Sequence, residues 1–288
     1  PDSLAGRQLG FWGRALAGAP ELLALPLDRS RPPRQSQRAL AYRFEVAPDL
    51  VAQLAGFARS HETSMFMTLH ALWVVVLSRL SGDRDVVIGT PYAGRGERAL
   101  DVLVGMFVNT VALRTVVDPG QGFAELVAAV READLAALGN ADVPFELVVD
   151  AVAPMRSMAH SPIFQVLLLL QESQSASFEL GGTRGEIVEM YRDLTDNDLA
   201  ITFIEELLAG GGSGVGRPLS GVIEYNADLF DEATIASFVE VFFLVARGVL
   251  ADPAVPVGDV GVLAGLRAEA VLGESVGEVV EVAGWTVA

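Results

Sequence analysis

The sequence contains neither cysteine nor lysine. Without a thiol, disulfides, zinc ribbons, iron–sulfur ligation and thiolate nucleophiles are all excluded, because each needs a cysteine sulfur. The same absence fits a reducing compartment, so the expected location is cytoplasmic. All 20 basic residues are arginine. There is accordingly no amine for a Schiff base and no P-loop lysine to lie against the β- and γ-phosphates of a nucleotide. Positive charge is scarce overall: 37 acidic residues leave a net charge of −17. A surface of that sign repels phosphate backbones, and nucleic acid is not an expected partner. Long apolar runs are missing too. Residues 166–170 are too few to span a bilayer, which takes about 18–20, and residues 235–250 are interrupted by Glu240 and Arg247. No membrane partner is expected. Residues 1–10 carry Asp2 and Arg7 where a signal peptide would have its apolar stretch, and the absence of an initial Met fits a segment of a longer protein.

What is present is a globular composition. The 288 residues are 51% hydrophobic and 20% charged, enough for one large domain or two modest ones with a substantial core. Residues 4–17 space Leu4, Leu9, Phe11, Trp12, Leu16 and Ala17 as an amphipathic helix would. A Pro- and Arg-rich connector, 26–37, reads as an extended surface segment and a boundary. Strands are expected over 38–46, 85–91, 108–117, 163–171, 178–180, 186–190, 199–208 and 219–225, with glycine-rich residues 210–216 turning the last two into a hairpin. Helices are expected over 49–59, 63–80, 123–138, 145–152 and 231–250, the second capped by Thr63 or Ser64 and the last by Asp231. Residues 63–80 are apolar nearly all round, the pattern of a helix buried between layers. Residues from 261 onward read as a tail or linker, and no internal repeat is visible. This irregular mixture predicts an α/β sandwich, one main sheet with helices packed on it.

Catalytic and metal motifs are sparse. His61, His70 and His160 stand apart, with no ligand pair at zinc-site spacing, so no metal is expected. His70 lies in the apolar helix, where a hydrogen-bonded core role is the ordinary one; His61 and His160 are expected in a turn and a loop. Ser275 sits in a G-x-S-x-G match, but no histidine follows it and the match falls in the expected tail, so it is a chance occurrence. Two residues invite more attention. Period two puts Asn109 on the face of a strand with Val111 and Leu113, and a buried amide must tie down a loop or line a polar cavity. Arg95 sits between Gly94 and Gly96 directly after a strand, where an arginine either salt-bridges across the fold or meets a ligand.

Three segments in order resemble the fifth, sixth and seventh core motifs of condensation domains from non-ribosomal peptide synthetases. They are IGTPYAGR at 88–95, VGMFVNTVALR at 104–114 and DVPFE at 142–146. Similarity extends to residues 11–25, the connector, 161–171 and 219–230, nearly the whole chain. The resemblance implies a chloramphenicol acetyltransferase-like sandwich whose motif residues Thr90, Pro91, Arg95, Phe107, Asn109, Thr110, Pro144, Phe145 and Glu146 shape a channel wall or hold its loops. The catalytic HHxxxDG motif of such domains has no counterpart here, because no two histidines are adjacent. It follows that no residue of this chain is assigned to catalysis. The chain resembles the second of two lobes: residues 1–37 correspond to the segment connecting it to the first lobe, 38–260 to the lobe, and 261–288 to a linker toward an adenylation domain. The implied partners are the N-terminal lobe, donor and acceptor peptidyl carrier proteins, and the adenylation domain. No cofactor is expected on the chain itself; substrates would arrive on phosphopantetheine arms. The seventh motif departs from the family in carrying Asn140 and Ala141 where a His-Gln pair is usual. A non-catalytic platform for a carrier protein or tailoring enzyme, and an epimerisation-type relative, are the alternatives.

Overall fold

Ser3 starts the first helix, α1 (Leu4–Ala15), by accepting the backbone N–H of Gly6 at 3.1 Å. The computed structural model describes residues 3–96, 98–152, 157–173, 177–186, 194–206 and 218–262. In chain order α1 is followed by β1 (Ala39–Val46), α2 (Pro48–Ser60), α3 (Met65–Ser81), β2 (Asp85–Tyr92), β3 (Asn109–Val116), α4 (Phe123–Leu138) and α5 (Phe145–Val152). Then come β4 (Val166–Ser173), β5 (Ser177–Leu180), β6 (Thr183–Glu186), β7 (Leu199–Glu206), β8 (Leu219–Asn226) and α6 (Glu232–Ala251).

Six strands form one mixed sheet in the order β1-β8-β7-β4-β2-β3. β4 runs parallel to both of its neighbours, β2 and β7, whereas the remaining pairs are antiparallel. Helices α2, α3, α4 and α6 supply the large core on one face, which takes in Leu199, Ile201 and Phe203 of β7 and Leu219, Ile223 and Tyr225 of β8. Ser64 caps α3 by accepting from Met67 N at 3.1 Å, and every residue from Met67 to Leu77 is buried, as the all-round apolar pattern predicts. α6 is long and apolar enough to cross a membrane by composition, yet Ile235, Phe238, Phe242 and Val249 are buried in this core.

The opposite face is covered over β2, β3 and β4 by α1 and α5, around Trp12, Leu16, Val87, Ala112, Val148 and Phe164. Gly89 of β2 lies beneath this layer, where a Cβ would come within 2.2 Å of the Phe164 ring. Two packing details differ from expectation. Leu4 is exposed, and the buried line along α1 is Gln8, Trp12 and Leu16, spaced one turn apart. Asp231 makes no side-chain cap on α6; it pairs instead with Arg29, while the carboxylate of Asp28 accepts from Asp231 N at 2.7 Å and Thr234 Oγ1 at 2.8 Å.

The connector is extended but firmly attached. Asp28 N donates to Leu229 O and Gln35 N to Met158 O, each at 3.0 Å. Between them Arg31 forms a bidentate pair with the fully buried Asp198, its Nη1 at 2.7 Å from Oδ1. The hairpin β5–β6 contains the strand expected at 178–180 and adds one at 183–186; of the strand expected at 186–190, residues 187–190 lie outside the described residues. The glycine-rich turn at 210–216, the Ser275 segment and residues 263–288 likewise lie outside it.

Candidate functional site

β2 and β3 form a wide hairpin whose ladder closes at Tyr92 opposite Asn109. β2 pairs with β4 only through Ile88 and Gly89, so Pro91 sits where the strand has lost its second neighbour and its missing N–H leaves no gap there. Thr90 is buried opposite Val111, and Pro91 faces Thr110 across the ladder. The excursion from 93 to 108 folds back on itself at Gly94, whose φ of +65° suits glycine and whose backbone passes so close to Phe107 that a Cβ would lie 1.9 Å from its carbonyl oxygen.

Arg95 holds this excursion together. Its guanidinium donates to the carbonyls of Leu100 and Leu103, the latter at 3.0 Å, and lies over the Phe107 ring at 4.3 Å from the centroid. Among the described residues it makes no ion pair, so the salt-bridge reading gives way to one in which carbonyls and an aromatic face absorb the charge. With its polar interior gathered on Arg95, the excursion turns apolar side chains outward: Val102, Leu103, Val104, Met106 and Val108 are all exposed, Met106 at 89%.

Asn109 uses both N–H donors of its amide and its carbonyl oxygen. Nδ2 donates to Ala141 O at 2.9 Å and to Val143 O at 2.8 Å, while Oδ1 accepts from Phe145 N at 3.1 Å. Phe145 opens α5, and its N–H is one of the first-turn donors that no helical carbonyl satisfies. Asn109 therefore caps a helix from a strand. The same loop is tied from its other side by α1. Buried Gln8 donates to Asp142 Oδ2 at 2.8 Å and accepts from Val143 N at 2.9 Å, and Trp12 Nε1 donates to Asn140 O at 2.9 Å.

Beside these contacts lies a half-open cavity of about 510 Å³. Of the residues singled out in the sequence, Phe107, Asn109, Thr110, Pro144, Phe145 and Glu146 line it together. Arg95 reaches it only through Phe107, and Thr90 and Pro91 stand behind it in the ladder. Tyr92 and Met106 also line it, and Gln8 supports it. Gln8 was missed by counting apolar positions, although its i, i+4 alignment with Trp12 and Leu16 marks it as part of the buried line. The histidines lie elsewhere. His70 Nδ1 and Asp134 Oδ2 are 3.1 Å apart and both residues are buried, joining α3 to α4. His61 Nδ1 bonds Phe57 O at 3.0 Å, and His160 Nδ1 bonds Ser161 O at 3.1 Å. Among the described residues no three His, Asp or Glu side chains gather as a metal site would need.

The Condensation domain family model matches residues 4–271. The chain belongs to the condensation-domain family. Curated relatives of this condensation-domain chain include a probable non-canonical nonribosomal peptide synthetase, CymA, of Salinispora arenicola, 42% identical over 88% of the chain and 3% of the relative. A dimodular nonribosomal peptide synthase of Bacillus subtilis is 34% identical over 92% of the chain and 11% of the relative. The chain thus spans a small fraction of either protein. Among solved structures, the complex of the X-domain and OxyB from teicoplanin biosynthesis matches with a TM-score of 0.83 and 30% identity, over 92% of this chain and 57% of that one. The α/β sandwich with one mixed sheet is accordingly the condensation-domain fold.

Proposed function

We propose that this chain is the second lobe of a non-ribosomal peptide synthetase condensation domain and forms one wall of the channel in which an amide bond is made. The observation that carries this reading is the proportion of the match: nearly all of this chain aligns with little more than half of an X-domain chain. Two features support it. The chain has no adjacent histidines to form HHxxxDG, and the 93–108 excursion exposes five large apolar side chains between residues 102 and 108, a surface suited to packing against a second lobe.

In the proposed reaction, an amine on one carrier protein attacks the thioester carbonyl on another. The C–N bond forms, the C–S bond breaks, and the thiol leaves with a proton originating on the amine. The channel contributes mainly position, because two phosphopantetheine arms delivered to one place turn a bimolecular reaction into a local one. Within this lobe, Asn109 and Arg95 hold the wall and its loops, and neither takes a proton. An adjacent adenylation domain would charge the acceptor carrier. The chain alone is inactive on this reading.

The test is a condensation assay with loaded donor and acceptor carriers, run on this chain alone and with a separately supplied first lobe bearing HHxxxDG. Product only after the lobe is added is the expected result. Product from the chain alone would refute the assignment of catalysis to the other lobe. A second reading, a docking platform for another protein, is favoured by the similarity to an X-domain solved in complex with OxyB. It predicts no product in either arm while the two lobes still co-elute.

A further inference from the structure

The sheet face opposite the helical core is only partly covered by α1 and α5. Alternation along β8 sends Leu219, Ile223 and Tyr225 into the core, so Glu224 points to the other side. One row crosses four strands at its level: Ala41 of β1 faces Glu224, Glu224 faces Ala200 of β7, and Ala200 faces Leu167 of β4. Glu224 is half-buried, and among the described residues it has no hydrogen bond and no ion pair. Its two cross-strand neighbours, Ala41 and Ala200, offer only methyl groups, and Arg43, the neighbouring cation on β1, stands opposite Val222 instead. Burial pushes the Glu224 carboxyl above the ordinary glutamate range.

An unpaired carboxylate in such a row accepts hydrogen bonds and attracts a single positive charge. A divalent metal would want several oxygen ligands, and no cluster of three acidic or histidine side chains exists among the described residues. An ammonium needs only one carboxylate, and small alanine neighbours leave room for the carbon that bears it. The net charge of −17 raises the local concentration of cations. We propose that Glu224, set between Ala41 and Ala200, binds the primary ammonium of the amine-bearing substrate. This inference rests on the channel reading for its choice of substrate. Glu224 is a positioning residue: it holds the ammonium on the wall, and the amine becomes the nucleophile only after the extra proton has passed to solvent.

The experiment uses the full chain with carbon-13-labelled glutamate, the Glu224 carboxyl resonance being assigned by its loss in Glu224→Gln. Alaninamide is the probe, with N-acetylalaninamide as its uncharged counterpart. A saturable shift of the Glu224 resonance with alaninamide and none with the acetylated compound is expected. Ala41→Arg, at an exposed position directly across the ladder, places a guanidinium beside the carboxylate and should abolish the response while leaving the melting temperature intact. Equal shifts with both compounds, no shift, or an undiminished response in Ala41→Arg would overturn the proposal. With the first lobe supplied, Glu224→Gln should raise the acceptor KM by about fivefold, the equivalent of a half-exposed ion pair, and leave kcat unchanged. Alaninamide binding without condensation by the wild type would sink the channel reading and spare the ammonium site. Condensation without alaninamide binding would do the reverse.

Discussion

Replacing Asn109 by alanine removes three hydrogen bonds at once, all between the start of β3 and the loop that opens α5. A hydrogen bond of this kind contributes about 0.5–1.5 kcal/mol net, and partial exposure lets water recover some of the loss. The expected destabilisation is about 2–3 kcal/mol, which at 2–4 °C per kcal/mol lowers the melting temperature by roughly 4–12 °C in a protein of this size. Asn109→Asp is the sharper probe. It keeps the acceptor for Phe145 N but turns a carboxylate toward the carbonyls of Ala141 and Val143, so it should destabilise at least as much as alanine. Urea titration followed by tryptophan fluorescence reads both, because Trp12 bonds the same loop through Asn140 O. An Asn109→Ala variant within 0.5 kcal/mol of wild type, or an aspartate variant that matches wild type, would show that the amide is not what holds the loop. If condensation by the two-lobe assembly were then lost at full stability, Asn109 would belong to the channel instead.

Other perturbations have equally definite outcomes. Arg31→Leu strands the fully buried carboxylate of Asp198 and should cost about 3–5 kcal/mol in a denaturant titration; the double change with Asp198→Asn should recover part of that loss. Gly89→Ala drives a methyl into the Phe164 ring and should cost about 1–3 kcal/mol, with Phe164→Leu in the same chain relieving it. Glu224 holds its proton more tightly folded than unfolded, so the native state binds more protons and stability falls as pH rises through the carboxylate range. Glu224→Gln should therefore be the more stable protein at neutral pH and equal to wild type in acid, as thermal melts across pH would show.

Much of the fold was legible because its elements carry strong local signals. Residues 63–80 carry the all-round apolar pattern of a core helix with a capping Ser64 at its start, and β2 and β3 alternate or run apolar between clear turn residues. Six of the nine motif positions named from the sequence line one cavity. What stayed hidden depends on tertiary partners. Nothing local distinguishes Gln8 from a surface glutamine until Asp142 and Val143 arrive 134 and 135 residues later. Asp28 and Asp231 exchanged roles for the same reason, since the connector lies across the start of α6 and its Asp28 reaches the backbone N–H that a local cap would not. Arg95 was expected to salt-bridge across the fold or to meet a ligand, whereas two carbonyls and the face of Phe107 were closer at hand.

The sheet order bears on how this chain comes into being. β1 has a single neighbour in the sheet, β8, and Ala39 is paired with Asn226, about 190 residues further along. At the usual pace of synthesis the first strand waits roughly 10–40 s for its only partner to leave the ribosome. During that interval its edge is open to chance pairing, with Arg43 and Glu45 on the unprotected strand as deterrents to other chains. Closing a loop of this length also places the pairing among the slow steps of folding. The sheet is thus completed only when β8 emerges, and a chain ending before residue 219 would lack both that strand and the use of β1.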